Sequence, residues 1–172
     1  AVFVLLPILI GLGISLFDYN PLMDSNPFVG IENFKKLLGD DVFKISARNT
    51  LIFVAVAVVG NIALSLPIAQ IISSQRSKRM RALLRVVFFM PVVAPLAASS
   101  IVWKLMYATK YGLVNNVLAT LGLAGQNWLG DPKWVMFSII IFTLWADMGY
   151  NIIIFSAGID GIPTEFQEAA AI

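Results

Sequence analysis

Long apolar stretches alternate with polar connections along the chain. In chain order, the apolar stretches cover residues 1–17, 49–75, 86–103 and 134–159. Only the last of them contains a charged side chain, Asp147. A helix of about 20 apolar residues spans a bilayer. The pattern therefore predicts an all-α membrane protein, a polytopic bundle of about four transmembrane helices, with spans at about 1–17, 49–73, 84–107 and 134–157.

The ends of the sequence lie inside these patterns. Residues 1–17 are slightly short for a span, and the chain stops at Ile172 within a helical pattern. We therefore interpret 1–172 as a single transmembrane domain that is truncated at both ends. A cleavable signal peptide is the alternative for 1–17, but no basic segment precedes the apolar run and no A-x-A cleavage site is visible.

Basic residues indicate which connections face the cytoplasm. Five of them lie close together with no acidic residue among them: Arg76, Lys78, Arg79, Arg81 and Arg85. Dense basic connections are typical of the cytoplasmic side. The connections 18–48 and 108–133 together hold more basic residues, but these are widely spread. We predict 18–48 and 108–133 to be outer loops and 158–172 to be cytoplasmic.

Each outer loop contains a short segment with helical periodicity. Ile31, Phe34 and Leu37 recur at spacings of three, which predicts an amphipathic helix at the membrane interface or an ordinary packed loop helix. A second amphipathic segment begins near Tyr111 and ends at Gly122. The span that follows the basic cluster contains Pro91 and Pro95, and prolines there predict a kink near its cytoplasmic end.

A few polar residues within the spans are candidates for function. Asp147 is costly to bury in a membrane and is expected to face water or the bundle interior. Pairing with a second subunit is an equally weighted alternative for it. With Trp145 and Asn151 it forms a polar and aromatic group suited to a sugar. Asn61 is a further candidate, although helix packing explains that residue more simply.

Composition excludes several classes of function. The chain has 172 residues, of which 59% are hydrophobic and 13% charged, whereas soluble domains are about 25% charged. A net charge of +2 gives no reason to expect nucleic-acid binding. The chain has no Cys and no His, so we predict neither disulfides, a metal site nor a catalytic residue. No Gly-rich phosphate loop ending in Lys-Ser/Thr is present, so we expect no ATP hydrolysis by this chain.

The last residues predict a further helix beyond the fourth span. Pro163 suits the first position of a helix, and Glu165 and Glu168 fall where acidic charge meets the positive end of the helix dipole. Phe166, Ala169 and Ala170 share one face. This small, flat face is suited to a groove on another protein.

Motifs along the whole chain give it a family resemblance. They are, in order, 28–34 (Phe-Val-Gly-Ile-Glu-Asn-Phe), 48–50 (Arg-Asn-Thr), 85–91 (Arg-Val-Val-Phe-Phe-Met-Pro), 111–115 (Tyr-Gly-Leu-Val-Asn), 128–132 (Trp-Leu-Gly-Asp-Pro), Trp145 with Gly149, and 162–170 (Ile-Pro-Thr-Glu-Phe-Gln-Glu-Ala-Ala). The chain resembles the permease subunits of bacterial and archaeal ATP-binding-cassette (ABC) importers, in the sugar branch of the maltose and glycerol-phosphate type. The last motif resembles their cytoplasmic EAA loop, whose further Asp-Gly-Ala run would follow Ile172. Gly161 departs from the Ser that often precedes Ile-Pro there.

The resemblance implies a plasma-membrane, multi-pass permease domain that forms a translocation pathway for a sugar or related solute. Implied partners are a second permease subunit, identical or different, a cytoplasmic ATPase dimer that binds ATP and Mg²⁺, an extracytoplasmic binding protein and membrane lipid. The EAA helix would dock on the ATPase. Residues expected to take part in this coupling are Gly158, Pro163, Glu165, Glu168, Ala169 and Ala170. We expect no cofactor in this chain.

Two other functions remain as alternatives. Half of a secondary transporter would use an ion gradient and usually has inverted repeats, which the four predicted spans do not show. A membrane scaffold that only recruits a partner would leave Asp147 and the interrupted helices without a role.

Overall fold

The apolar runs fold into helices, as the sequence predicts. A computed structural model describes residues 2–22, 25–163 and 166. Within these residues there are seven helices and no strand. They are α1 (Val2–Ile14), α2 (Glu32–Gly39), α3 (Asp41–Ser73), α4 (Lys78–Val93), α5 (Leu96–Met106), α6 (Leu113–Thr120) and α7 (Pro132–Asp160). The chain forms two units, Ala1–Ile52 and Phe53–Ile172, and α3 runs from one into the other.

In the first unit, Asn33 of α2 fixes the turn that follows α1. Its Nδ2 donates hydrogen bonds to the carbonyl oxygens of Ser15 and Phe17, both at 2.9 Å. Phe17 also packs edge-on against Phe28, with 5.3 Å between ring centroids. The short helix predicted around Ile31 is confirmed as α2.

Helix α3 is longer than the span predicted at 49–73. It has 33 residues, which corresponds to about 50 Å at the usual rise per residue. It begins at Asp41 because Asp40 caps it: the Asp40 carboxylate accepts hydrogen bonds from the backbone N–H groups of Val42 and Phe43 at 2.7 and 3.2 Å. The last part of the predicted outer loop 18–48 is therefore helical.

The basic cluster lies mostly on a helix instead of in a loop. Ser77 caps α4 by accepting a hydrogen bond from the backbone N–H of Met80 at 3.4 Å. Arg79, Arg81 and Arg85 consequently occupy the first turns of α4. Hydrogen bonds then hold the side chains of Arg81 and Arg85.

The prolines break the third predicted span. Helices α4 and α5 meet at an angle of 91°, far more than a kink. Ala94 is extended (φ −69°, ψ 136°), as expected for the residue before a proline, and Pro95 has no N–H with which to continue the helix. The break follows Val93, which is further along the span than the cytoplasmic end where the sequence predicted a kink.

In the second unit, α7 packs against α3 and α4. Asp131 caps α7 by accepting a hydrogen bond from Lys133 N at 2.9 Å. Ala69 and Ile72 of α3 and Ile152 of α7 form the buried core, and each is at most 1% exposed. Partly buried apolar side chains surround this core: Ile68, Leu84, Phe88, Met148, Phe155 and Ile159.

Asn115 of α6 organises the connection between α5 and α7. Its Nδ2 donates to the carbonyl oxygens of Thr109 and Gln126 at 3.0 and 2.9 Å. Its Oδ1 accepts from Gln126 N at 2.9 Å and from Trp128 Nε1 at 2.8 Å. Gly122, with φ +73°, ends α6 in a left-handed turn. One buried amide thus holds both sides of the predicted outer loop 108–133.

The described helices include candidate membrane spans. By length and composition α3 and α7 can each cross a membrane, and α4 with α5 makes a third span if the bent pair counts as one. Helix α1 is apolar but has 13 residues. The all-α membrane fold is confirmed, while the four-span arrangement stays a prediction.

Candidate functional site

A cavity of ≈ 630 Å³ lies in the second unit, between α3, α7 and the end of α4. Three of the four polar or aromatic residues singled out in the spans, Asn61, Asp147 and Asn151, line it. The other lining residues are Ala57, Val58, Ile62, Val92, Thr143, Ala146, Tyr150 and Phe155. Apolar walls with a few convergent polar groups are typical of sites for small molecules.

Asn61 and Asn151 join α3 and α7 at this cavity. Asn151 Nδ2 donates a hydrogen bond to Asn61 Oδ1 at 2.8 Å. Ser65 Oγ donates to the same oxygen at 2.9 Å, and it lies 3.4 Å from the carbonyl oxygen of Met148. Asn61 is 8% exposed and Ser65 is fully buried. Because Asn61 Oδ1 accepts two hydrogen bonds, the amide is held in one orientation.

Sequence reasoning missed Ser65. The available signal was its spacing, since Ser65 stands four residues after Asn61 and therefore lies on the same helix face. Its partner on α7 could not be found in this way, because Asn61 and Asn151 are far apart along the chain.

The fixed amide determines what the cavity offers to a ligand. Asn61 Nδ2 has no hydrogen-bond partner among the described residues, and it stays available as a donor. Asp147 is exposed within its unit and makes no ion pair with a described residue. Tyr150 adds a phenol to the lining. Donors and acceptors therefore stand side by side, as a polyhydroxylated solute requires.

Trp145 does not line this cavity. It stands two positions before Asp147, so the helical repeat turns it about 200° away, whereas Asp147 and Asn151 share a face at i and i+4. Trp145 packs near Trp103 and Phe142, with centroid distances of 5.5 and 6.2 Å. It borders a separate cavity of ≈ 330 Å³.

The predicted coupling segment is described only in part. Gly158 lies within α7, which ends at Asp160 and has Gly161 as its C-cap; the chain thus leaves the helix later than predicted. Pro163 follows outside the helix. Glu165, Glu168, Ala169 and Ala170 lie outside the described residues.

An ionic cluster lies near the start of this segment. Asp160, the last residue of α7, accepts a hydrogen bond from Arg85 Nη2 at 2.6 Å, and its second carboxylate oxygen lies 3.5 Å from Arg81 Nη1. From the sequence, these arginines were used to orient the chain, and Arg85 was part of a family motif. Their pairing with Asp160 could not be predicted, because α4 and α7 are distant in sequence.

Comparison with known proteins agrees with the fold. The chain belongs to the family of binding-protein-dependent transport system inner membrane components, whose profile matches residues 61–172. This places it among the permease components of ABC importers.

Two curated relatives match almost the whole chain. It is 37% identical over 174 residues to the lactose transport system permease protein LacF of Rhizobium radiobacter, covering 100% of this chain and 57% of that protein. It is 33% identical over 171 residues to the trehalose/maltose transport system permease protein MalF of Thermococcus litoralis, covering 99% of this chain and 57% of that protein. The chain thus spans less than two thirds of these relatives.

A solved structure shares the fold. It is a bacterial alginate ABC transporter in complex with an alginate pentasaccharide-bound periplasmic protein. The likeness has a TM-score of 0.80 at 23% identity, and it covers 97% of this chain and 55% of that one.

Proposed function

We propose that this chain is the membrane-spanning part of a permease subunit in an ABC importer, and that it forms the pathway for a sugar or related solute. The polar group in the cavity between α3 and α7 carries the proposal. The family of the chain supports the transport class, and the names of its relatives, which include lactose and trehalose/maltose systems, support the solute class.

In this proposal Asn61, Asp147 and Asn151 contact the solute as it passes. The two asparagines form one bridge across the helices, and Asp147 supplies acceptors one turn away from Asn151. Trp145 borders a different cavity. It contacts the solute only if that face also borders the pore in the assembled transporter.

The assembled transporter contains further subunits under this proposal. A second permease subunit completes the pore, an extracytoplasmic binding protein delivers the solute, and a cytoplasmic ATPase dimer binds ATP with Mg²⁺. The segment 158–172 docks on the ATPase, with Glu165 and Glu168 as polar contacts and Ala169 and Ala170 allowing close approach. The protein crosses the plasma membrane of a bacterium or archaeon several times.

Replacement of Asp147 tests the pathway. We expect Asp147→Ala to lower solute uptake by the full-length transporter in proteoliposomes while the subunits still co-purify. The matched control is Asp18→Ala, which removes an exposed carboxylate that lies in the other unit. Unchanged uptake by Asp147→Ala would refute the assignment of this residue to the pathway.

A further inference from the structure

Asp160 connects the ends of three helices. Its carboxylate, at the end of α7, pairs with Arg85 and Arg81 of α4. Arg81 also reaches α3, because its Nη2 donates hydrogen bonds to the carbonyl oxygens of Ser73 at 2.8 Å and Gln75 at 3.1 Å. Ser73 is the last residue of α3, where free carbonyl groups and the negative end of the helix dipole attract a cation.

This cluster differs from an ordinary surface ion pair. The side chains of Arg81, Arg85 and Asp160 are each 32% exposed. The Lys44–Asp41 pair lies within one helix and is 55% and 89% exposed. Such exposed single pairs contribute little. A carboxylate shared by two arginines, one of which also caps a neighbouring helix, holds separate elements in a defined geometry.

A second contact keeps α4 and α7 from turning about the ion pairs. At Gly149 the backbone of α7 lies against the carbonyl group of Phe88 in α4. Gly149 and Asp160 are about 16 Å apart along the helix axis, at the usual rise per residue. The buried side chains of Ile72 and Ile152 fill the space between the helices. Two separated contacts, with buried side chains of α3 and α7 between them, hold α4 against α7 at this end.

The cluster also lies between the proposed docking segment and the cavity. On one side, Asp160 lies near the start of the segment 158–172 that is proposed to dock on the ATPase. On the other side, α4 continues from Arg85 to Val92, which lines the cavity, and then to the 91° bend before α5. A displacement of the docking segment therefore reaches the cavity through α7 directly and through α4 by way of the arginines.

We propose that Arg81, Arg85 and Asp160 form an ionic joint that transmits movement of the docking segment to α4 and the bent helix beside the cavity. These are positioning residues, which touch neither solute nor nucleotide. The inference rests on the proposed coupling to an ATPase. Without the joint, Asp160 no longer holds the first half of α4, so a displacement of the docking segment is transmitted to α4 less completely and more ATP is hydrolysed for each solute imported.

The number of ATP molecules hydrolysed per solute imported measures this coupling. The full transporter in proteoliposomes is assayed with Asp160→Asn, Arg85→Gln, the double variant, and Arg79→Gln as control. Arg79 lies on the same helix but is exposed and has no ion pair with a described residue. We expect the ratio to rise about fivefold or more in Asp160→Asn, a usual size for coupling between sites. The double variant is expected to match Asp160→Asn, because both changes remove the same joint.

The ratio does not depend on how much transporter assembles, so it separates coupling from stability. A normal ratio in Asp160→Asn and Arg85→Gln, with or without a lower yield of complex, overturns the joint. The joint is also overturned if the ratio of ATP to solute rises in Arg79→Gln as much as in Asp160→Asn. A wild-type transporter that shows no ATP-driven uptake would instead overturn the proposed function.

Discussion

Gly149 of α7 lies so close to Phe88 of α4 that a methyl group at position 149 would overlap the Phe88 carbonyl oxygen. The obstacle is backbone, which cannot move aside as a flexible side chain can. Small residues at helix interfaces permit this kind of close approach in membrane proteins. The crossing sets how near α4 comes to α7, and so it sets the width of the cavity that both helices line.

Gly149→Ala should therefore destabilise the protein. Alanine normally favours a helix over glycine, but here the added methyl group forces the helices apart, at a cost of about 1–3 kcal/mol. Thermal unfolding in detergent measures the effect. Gly158→Ala is the control, because a Cβ at Gly158 of the same helix meets nothing within 4 Å. Equal stability of the two variants would contradict the close crossing.

Asn115→Ala is expected to loosen the connection between α5 and α7. It removes four hydrogen bonds and leaves the buried Trp128 Nε1 without its acceptor. Each buried group left unpaired costs about 1–3 kcal/mol. Hydrogen exchange of residues 107–131 should become faster. In Asn116→Ala, which alters an exposed neighbour, exchange should stay as in the wild type; equal exchange in both variants would refute the role of Asn115.

Ser65→Ala tests how the Asn61 amide is held. It removes one of the two hydrogen bonds to Asn61 Oδ1 and should cost about 1 kcal/mol of stability. Uptake should fall as well, because the hydrogen bond from Asn151 alone then holds the amide. Ser74→Ala is the control, since Ser74 Oγ donates a hydrogen bond to the carbonyl oxygen of Ile71 in the preceding turn. Normal uptake by Ser65→Ala would show that the amide orientation has no role in transport.

Changes in the docking segment should separate assembly from solute passage. We expect Glu168→Ala and Ala170→Leu to weaken co-purification of the ATPase. The first variant removes a charged contact, and the second places a larger side chain where close approach to the ATPase is proposed. Glu32→Ala, in α2 of the first unit, serves as the control for loss of an exposed carboxylate. Normal assembly together with normal uptake in both docking variants would defeat the docking assignment.

Features that depend on residues close together in the sequence were predictable. Apolar runs located the long helices, Pro91 and Pro95 indicated that the third span is interrupted, although by a kink and not by a 91° bend, and Gly122 indicated the end of α6. Polarity within an apolar run was enough to select Asn61, Asp147 and Asn151. Each of these features can be recognised from a short stretch of sequence, because it depends on local backbone chemistry or on whether a side chain is apolar or polar.

Features that join distant segments were not predictable in the same way. The Asn61–Asn151 bond and the Asp160–Arg85 pair depend on how α3, α4 and α7 pack. The 91° angle between α4 and α5 likewise depends on that packing, since proline alone removes a hydrogen bond without fixing a direction. The separation of Trp145 from Asp147 was predictable, because residues two positions apart lie on different faces of a helix.

The energy source of uptake tests the proposed function most directly. The full-length protein is reconstituted with its partner permease, ATPase and binding protein, and solute uptake is measured with ATP alone and with an ion gradient alone. The proposal predicts uptake that requires both ATP and the binding protein and that is reduced in Asp147→Ala. Uptake driven by the ion gradient without ATP would contradict it and would favour a secondary transporter.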